Sequence, residues 1–394
     1  MNGKSKRKQP RRAAATPAGS RGDGELRYRR IVAKFGTNLL TAGTDHLDLE
    51  VMSALVGQVA RLLKQGAQVI VVTSGAIAAG RHRLALAEER RDIPFRQVLA
   101  SVGQSHLMQS YDALFGWHDV VVAQTLLSRR DLSDRVGYLN ARNTLLALLE
   151  LRVVPIANEN DPVAVEEIEG ATIGDNDHLS ALVANLVDAD LLAILTDTGG
   201  LYTADPRLDP SARLIPRVDR IDAEVERLAG AEGPQGVGGM VTKVEAARLA
   251  TASGSDVFFA CGYEKDALLR LARGEQLGTY FPASADRMES RKRWLLSGLA
   301  TRGRIVVDAG AARALVEGHK SLLPAGVREV EGPFERGDTV HICAPDGRRI
   351  ACGIANYPHQ EVEAIRGQRS DRILEALGHQ YGEEVVHRDN LVVL

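Results

Sequence analysis

The chain has 394 residues, of which 44% are apolar, and its formal net charge is −2. This length exceeds what one compact core usually holds, so two domains are expected. The three cysteines, Cys261, Cys343 and Cys352, form no C-x-x-C pair, which argues against a zinc site and is typical of a cytoplasmic protein. No apolar run approaches the ~18 residues that a membrane span needs, so we expect a soluble protein without membrane contact.

Residues 1–27 form a basic tail. Residues 1–30 hold ten Lys/Arg and two acids, a net charge of +8, which leaves −10 on the rest of the chain. Because the tail has few apolar residues and no hydrophobic stretch, we predict that it is disordered and is not a secretory signal. Weak contact with nucleic acid or another acidic surface, and an organelle transit peptide, are the alternative interpretations.

From residue 28 to 286, short β-branched runs alternate with helical patterns. Strands are predicted at RRIVAKFG, AQVIVVTSG, DVVVAQTLL, RVVPIANEN, DLLAILTD and SDVFFACG, with amphipathic helices between several of them. Near-continuous apolar strands separated by helices predict an α/β domain with an open, mostly parallel sheet sandwiched by helices.

Four of these strands end in small polar segments. The segments are Lys34–Thr37, Thr73–Ala76, Asn158–Asp161 and Thr196–Gly200. Ligands of parallel sheets bind at the carboxyl ends of the strands. The sequence therefore predicts one site built from these four segments.

Two lysines lie beside glycine-containing turns. KFGTN places Lys34 before such a turn, and GVGGMVTK places Lys243 in the first turn of a helix, where free amides and the helix dipole favour anions. A surface lysine and a glycine loop that merely begins a helix are the structural alternatives. Neither a P-loop nor a dinucleotide fingerprint occurs, so phosphate would have to be bound in another way. Two lysines at two turns that favour anions make phosphoryl transfer the candidate reaction.

Acids and carboxamides are predicted at the same edge. The segments NENDPV and GDNDHLSA supply Glu159, Asp161, Asp175 and Asp177. Carboxylates in proximity are costly unless a cation lies among them, and the candidates are Mg²⁺, a lysine ammonium or an ammonium of the substrate. An EF-hand is excluded because the acids are contiguous. The simpler interpretation of Asp177 is the N-cap of a helix that starts at His178.

The pattern changes near residue 290. Residues 287–301, which contain a basic cluster, are predicted to be a linker, and residues 302–394 a small, mainly β domain. Asp346 and Gly347 between two alternating runs are a strong hairpin signal.

The motifs in this order resemble those of the glutamate 5-kinases, the proline-biosynthetic members of the amino acid kinase family. The resemblance rests on VAKFGTNLLT, VVTSGAIAAGR, IANENDPVAVEEI, IGDNDHLSALVA, LTDTGGLYTADPR and GVGGMVTKVEAA. The segment from Arg302 onward is similar to the PUA domain that bacterial members often carry. The resemblance implies an amino acid kinase fold followed by a PUA-like domain.

The resemblance also implies an activity. It is ATP-dependent phosphorylation of the γ-carboxylate of L-glutamate to γ-glutamyl phosphate, the first step of proline biosynthesis, with feedback inhibition by proline. ATP, Mg²⁺ and L-glutamate are the implied ligands, glutamyl phosphate reductase is a plausible recipient of the labile product, and a homo-oligomer is expected. The alternatives are a kinase for another small acid, and an RNA-binding protein that uses the PUA-like domain.

Residue roles follow only from the resemblance. Lys34, Lys243 and Asp177 would be catalytic, with both lysines on the ATP phosphates and Asp177 orienting them. Ser74, Asn158, Asp161 and Asn176 would bind glutamate, and no residue is assigned to a metal. Nucleotide would be bound by Lys34, Thr196, Asp197, Val237, Gly238, Gly239, Met240, Val241, Thr242 and Lys243.

Overall fold

The computed structural model describes residues 25–85, 92–163, 176–230, 239–284 and 302–394. Residues 1–24 of the predicted tail and the whole predicted linker lie outside these ranges, as do Asp175, Val237 and Gly238. Near the end of the predicted tail, the main-chain N–H of Arg27 donates to the carbonyl oxygen of Ala272 at 3.0 Å.

The first part of the chain forms a sheet of seven strands. They are β1 (Arg30–Phe35), β2 (Gln68–Thr73), β3 (Val122–Leu127), β4 (Val154–Glu159), β5 (Leu191–Thr196), β6 (Asp256–Cys261) and β7 (Thr279–Phe281). Their order is β3-β4-β2-β1-β5-β6-β7, and all neighbours are parallel except β7. The six predicted strands and the mostly parallel sheet are confirmed, and β7 is an edge strand that the sequence did not reveal.

Helices cover both faces of this sheet. They are α1 (Thr37–Leu40), α2 (Leu49–Lys64), α3 (Ala76–Leu84), α4 (Ile93–Gly116), α5 (Arg129–Ser133), α6 (Arg135–Glu150), α7 (Asn176–Leu186), α8 (Ala223–Ala229), α9 (Met240–Ala252) and α10 (Ala267–Ala272). In β1, Ile31 and Phe35 enter the core shared with α2 and α4, whereas Val32 enters the core shared with α7 and α9. Successive side chains of a strand point to opposite faces, so a strand covered on both sides is apolar throughout.

The residues from 302 onward form a second, five-stranded sheet with its own core. Its strands are β8 (Gly303–Val307), β9 (Val327–Glu331), β10 (Thr339–Cys343), β11 (Arg349–Ile354) and β12 (Leu391–Val393), in the order β12-β11-β10-β8-β9. Helices α11 (Ala309–Val316), α12 (His359–Ile365) and α13 (Ile373–Leu377) accompany it. The predicted hairpin is confirmed, because β10 and β11 pair antiparallel and Gly347 has a φ of +82°.

Helix α6 packs the first domain against the second. Leu139 of α6 is buried in one apolar cluster with Cys352, Ile354 and Val392 of the second sheet. Among the described residues, no helix combines the length and hydropathy needed to span a bilayer.

Arg142 of α6 ties three elements together. Its guanidinium, which is 3% exposed, donates to Asn390 Oδ1 at 2.8 Å and to the carbonyl oxygen of Asp389 at 3.0 Å in the second domain. It also donates to the carbonyl oxygen of Leu186, the last residue of α7, and to Asp188 Oδ2 at 2.6 Å. Burial by itself would lower the pKa of Arg142, but Asp188, Tyr138 and Asp389 together outweigh this effect and leave the pKa raised. The guanidinium therefore stays charged where the domains meet.

Candidate active site

The four polar segments predicted to form a site follow neighbouring strands. Strands β4, β2, β1 and β5 are adjacent in the sheet and run parallel, so their carboxyl ends lie side by side at one edge. Strand β1 lies at the centre, with the segment after β5 on one side and those after β2 and β4 on the other. Helix α7 then brings Asn176 and Asp177 to the same edge.

Asp177 lies between the two predicted catalytic lysines. Its Oδ1 is 2.6 Å from Lys34 Nζ and its Oδ2 is 3.0 Å from Lys243 Nζ. Thr242 Oγ1 also donates to Oδ2, at 3.1 Å. The side chain of Asp177 is fully buried, and those of Lys34 and Lys243 are only 4% and 12% exposed. Three residues distant in sequence thus form one buried group with a net charge of +1.

Two of the simpler interpretations are wrong. Lys34 is buried at the end of β1 and is not a surface lysine. Helix α7 begins at Asn176, so Asp177 lies within its first turn and is not the N-cap. The N-cap interpretation failed because an acid near the start of a helix looks the same in the sequence whether it caps the helix or forms ion pairs with distant residues. Here the carboxylate pairs with lysines from two other elements.

The N-terminus of α9 forms one wall of the lysine group. Gly239 is the N-cap of α9 and provides no side chain to cap the helix. Since no described side chain caps this helix, its first amides can bind an anion in the place where Lys243 adds positive charge. Of the predicted nucleotide loop, Gly239, Met240, Val241, Thr242 and Lys243 are at this helix start.

The segment after β5 lies beside Lys34. The main-chain N–H of Gly36 donates to the carbonyl oxygen of Leu195 at 3.2 Å, which joins the turn after β1 to the end of β5. Thr196 is buried, and its hydroxyl donates to Asp197 Oδ1 at 2.8 Å. The structure therefore brings Thr196 and Asp197 to the β1 side of the site.

A pocket opens between the segments after β1, β2 and β4. All four predicted glutamate-binding residues line it, namely Ser74, Asn158, Asp161 and Asn176. Gly75 at its wall has a φ of +97°, which favours glycine and turns the chain from β2 directly into α3. Asn176 lines this pocket and the next residue, Asp177, contacts the lysines, so two consecutive residues of α7 serve the pocket and the lysine group.

Charged groups of both signs lie at the pocket. Glu159 and Asp161 line it. Burial lowers the pKa of the Arg96 guanidinium, the Asp161 carboxylate opposes this shift, and Arg81 adds to it. Carboxylates and guanidinium groups are therefore close enough to influence one another at this end of the pocket.

Sequence reasoning missed one polar residue behind the pocket. Gln104 of α4 is 9% exposed, and its Oε1 accepts a hydrogen bond from Asn158 Nδ2 at 2.7 Å. The signal was present, since residue 104 falls on the helix face that buries Ala100, Leu107 and Tyr111. A polar side chain on a buried helix face needs a partner.

The comparisons with known proteins agree with this geometry. The profile of the amino acid kinase family matches residues 29–261, and that of the PUA domain matches residues 303–377. The glutamate 5-kinase of Dehalococcoides mccartyi is 55% identical over 368 residues, which cover 93% of this chain and 99% of that protein. Those of Herpetosiphon aurantiacus and Moorella thermoacetica are 52% and 50% identical, each over 93% of this chain and over 98% and 96% of their own. The chain therefore belongs to the amino acid kinase family, among its glutamate 5-kinases, and carries a C-terminal PUA domain.

Proposed function

We propose that this protein transfers the γ-phosphoryl group of ATP to the γ-carboxylate of L-glutamate, giving γ-glutamyl phosphate and ADP, the first step of proline biosynthesis. The observation that carries the proposal is the division of α7 between two neighbouring sites. Asn176 lines a polar pocket, and Asp177 holds two buried lysines beside the N-terminus of α9, where the N-cap residue is a glycine. A phosphate donor and a small polar acceptor would meet across this single turn of helix.

Electrostatics explains why the lysines are needed. A carboxylate is ionised at pH 7 and attacks without a general base. Both reactants are anions, so their mutual repulsion opposes in-line attack unless positive charge lies between them. Lys34 and Lys243 supply this charge from fixed positions in a site shielded from water, where such groups are most effective.

Asp177 has a structural reason to be acidic in a phosphate-handling site. Two ammonium groups held this close would repel each other, and the carboxylate between them compensates for that repulsion while leaving the group at +1. In this proposal Asp177 orients the lysines and does not contact the transferred phosphoryl group.

The pocket fits free glutamate better than an acylated amine. Asp161 and the carboxamide oxygens offer acceptors for an α-ammonium, and an acylated nitrogen would gain little from them. Ser74 and Asn158 complete the proposed glutamate contacts. Mg²⁺ enters this reaction as part of the nucleotide substrate, MgATP, and would neutralise charge on the phosphates.

The activity is tested by measuring ADP release with glutamate, aspartate and N-acetylglutamate, each with and without hydroxylamine. The expected result is release with glutamate alone, together with hydroxamate formation from the trapped acyl phosphate. Faster turnover of aspartate or N-acetylglutamate would instead support the alternative, a kinase for another small acid. ADP release without hydroxamate would contradict transfer to a carboxylate.

For the PUA domain we propose structural attachment in preference to RNA binding. The buried contacts of Leu139 and Arg142 with this domain support this role. The intact protein should therefore show no salt-dependent shift when titrated with single-stranded or duplex RNA. Binding that weakens steeply as salt increases would favour the RNA alternative.

Proline is proposed to compete for the glutamate pocket, and an initial rate that is unchanged by added proline would exclude this. A homo-oligomer, a cytoplasmic location and transfer of the labile product to glutamyl phosphate reductase also stay predictions. The first of these is tested by light scattering of the purified protein.

A further inference from the structure

We propose that Gln104 is a positioning residue that sets the preference for a substrate with an α-ammonium group. It acts through Asn158, which it holds in one orientation, and it is not among the described residues that line the pocket. The inference rests on the proposed function, because it concerns how the enzyme distinguishes glutamate from an amine-free dicarboxylate.

The orientation of three carboxamides follows from one fixed acceptor. The main-chain carbonyl of Thr73 can only accept, and it lies 2.5 Å from Asn176 Nδ2. Asn158 must then face the same nitrogen with its own oxygen, at 2.7 Å. This turns Asn158 Nδ2 toward Gln104, where only an oxygen can accept it, at 2.7 Å. Donors and acceptors thus alternate without conflict from Thr73 to Gln104.

The Asn176 end of this chain is an unused acceptor. Asn176 Oδ1 is buried and has no hydrogen-bond partner among the described residues, and Asn176 lines the pocket. A substrate ammonium would satisfy this oxygen, whereas a substrate without one would leave a buried polar atom unpaired. At the other end Gln104 Nε2 is also buried, and no described residue is its hydrogen-bond partner. Gln104 therefore contributes to the chain through its oxygen alone.

The backbone beside Gln104 is held rigidly against the pocket wall. A Cβ on Gly103 would lie only 1.7 Å from the carbonyl oxygen of Ala76, so α4 approaches the start of α3 more closely than any side chain allows. Ala76 itself lines the pocket. Gln104 is thus attached at a fixed distance from the site, as a positioning role requires.

Loss of the Gln104 acceptor should disturb the chain in a defined way. Asn158 Nδ2 would lose its buried partner. The side-chain amide of Asn158 could then rotate by about 180° and direct this donor toward Asn176 Nδ2. Two donors facing each other would displace Asn176 Oδ1 from the position where it meets the ammonium. Contacts with the carboxylates and with MgATP would be affected much less.

The test compares Gln104→Met, which has similar length but no acceptor, with Gln104→Glu, which keeps an oxygen toward Asn158. Gln104→Met should raise KM for glutamate about tenfold, and it should leave KM for MgATP and Ki for glutarate, the amine-free analogue, nearly unchanged. Gln104→Glu should largely retain the glutamate KM. Tyr111→Phe is the matched control, because it removes a buried 2.8 Å hydrogen bond between the same helix and Thr73 without touching Asn158. Its ratio of glutamate KM to glutarate Ki should match that of the wild type.

A double-mutant cycle tests whether Gln104 acts through Asn158. In an Asn158→Ala background, adding Gln104→Met should change the glutamate KM less than about twofold. A further tenfold rise, or equal losses for glutamate, glutarate and MgATP, would overturn the inference. If Gln104→Met does not fold, Gln104→Asn can replace it, because its side chain is one methylene shorter and moves the acceptor oxygen away from Asn158. The same changes in KM and Ki are then expected. A wild-type enzyme that does not phosphorylate glutamate would refute the proposed function, whereas an active wild type with an unaltered Gln104→Met variant would refute this inference alone.

Discussion

Replacing Asp177 by asparagine is the most direct test of the lysine group. The side chain keeps its shape but loses its charge, so the net charge of the buried group changes from +1 to +2. At an effective dielectric constant of 20, unit charges 2.6 and 3.0 Å apart attract each other by about 6 kcal/mol per pair before desolvation is counted. Removing one partner of a buried ion pair costs about 3–5 kcal/mol net.

This magnitude sets the expected loss of activity. If most of it appears as misplaced ammonium groups in the transition state, kcat should fall by about 10²–10³-fold, since each 1.4 kcal/mol corresponds to about tenfold. KM for glutamate should change much less, because Asn176 and the pocket lie on the other side of the helix turn. Steady-state kinetics, together with thermal unfolding to confirm that the variant is folded, provide the assay.

A matched control is available on α4. Asp112 is exposed, and Asp112→Asn makes the same chemical change without touching the site, so it should have wild-type kinetics. A folded Asp177→Asn variant that kept more than about a tenth of the wild-type kcat would show that the lysines hold their positions without the carboxylate.

Three further predictions concern other parts of the molecule. Lys243→Ala should lower kcat about 10²–10³-fold with little change in melting temperature, and unchanged turnover would remove Lys243 from the site. Asp161→Ala should raise KM for glutamate about 10–100-fold with KM for MgATP unchanged, and a defect selective for ATP would contradict its assignment. Arg142→Met should lower the free energy of unfolding by about 3–5 kcal/mol. The exposed Arg130→Met should not lower it, and equal effects in urea unfolding would show that the Arg142 contacts do not stabilise the domain interface.

Local patterns were sufficient to predict the six parallel strands of the first sheet and one hairpin of the second domain. Each of the six parallel strands is an apolar run because it is buried on both faces, and such a run is visible without knowledge of its neighbours. The hairpin at Gly347 was equally readable, since a positive φ favours glycine wherever the turn lies. The small polar residues at the strand ends were correctly expected to meet, because parallel strands end at a common edge.

The same patterns could not assign a partner to each polar residue. Asp177 looked like a helix cap until the order of β4, β2, β1 and β5 placed it between Lys34 and Lys243. Gln104 looked like one more residue of an amphipathic helix, and its partner, Asn158, is 54 residues away.

The amino-acid sequence alone specified the six parallel strands, several helices and the chemical character of the site, and only the tertiary structure decided which polar residues become partners. The spacing of apolar residues along a segment indicates which of its faces are buried, and this spacing is a property of the segment itself. Hydrogen bonds and ion pairs instead depend on which segments become neighbours, and the order of strands in the sheet determines that. For this reason the family resemblance could propose different roles for Asn176 and Asp177, but only the placement of α7 showed that Asn176 lines the pocket and that Asp177 lies between Lys34 and Lys243.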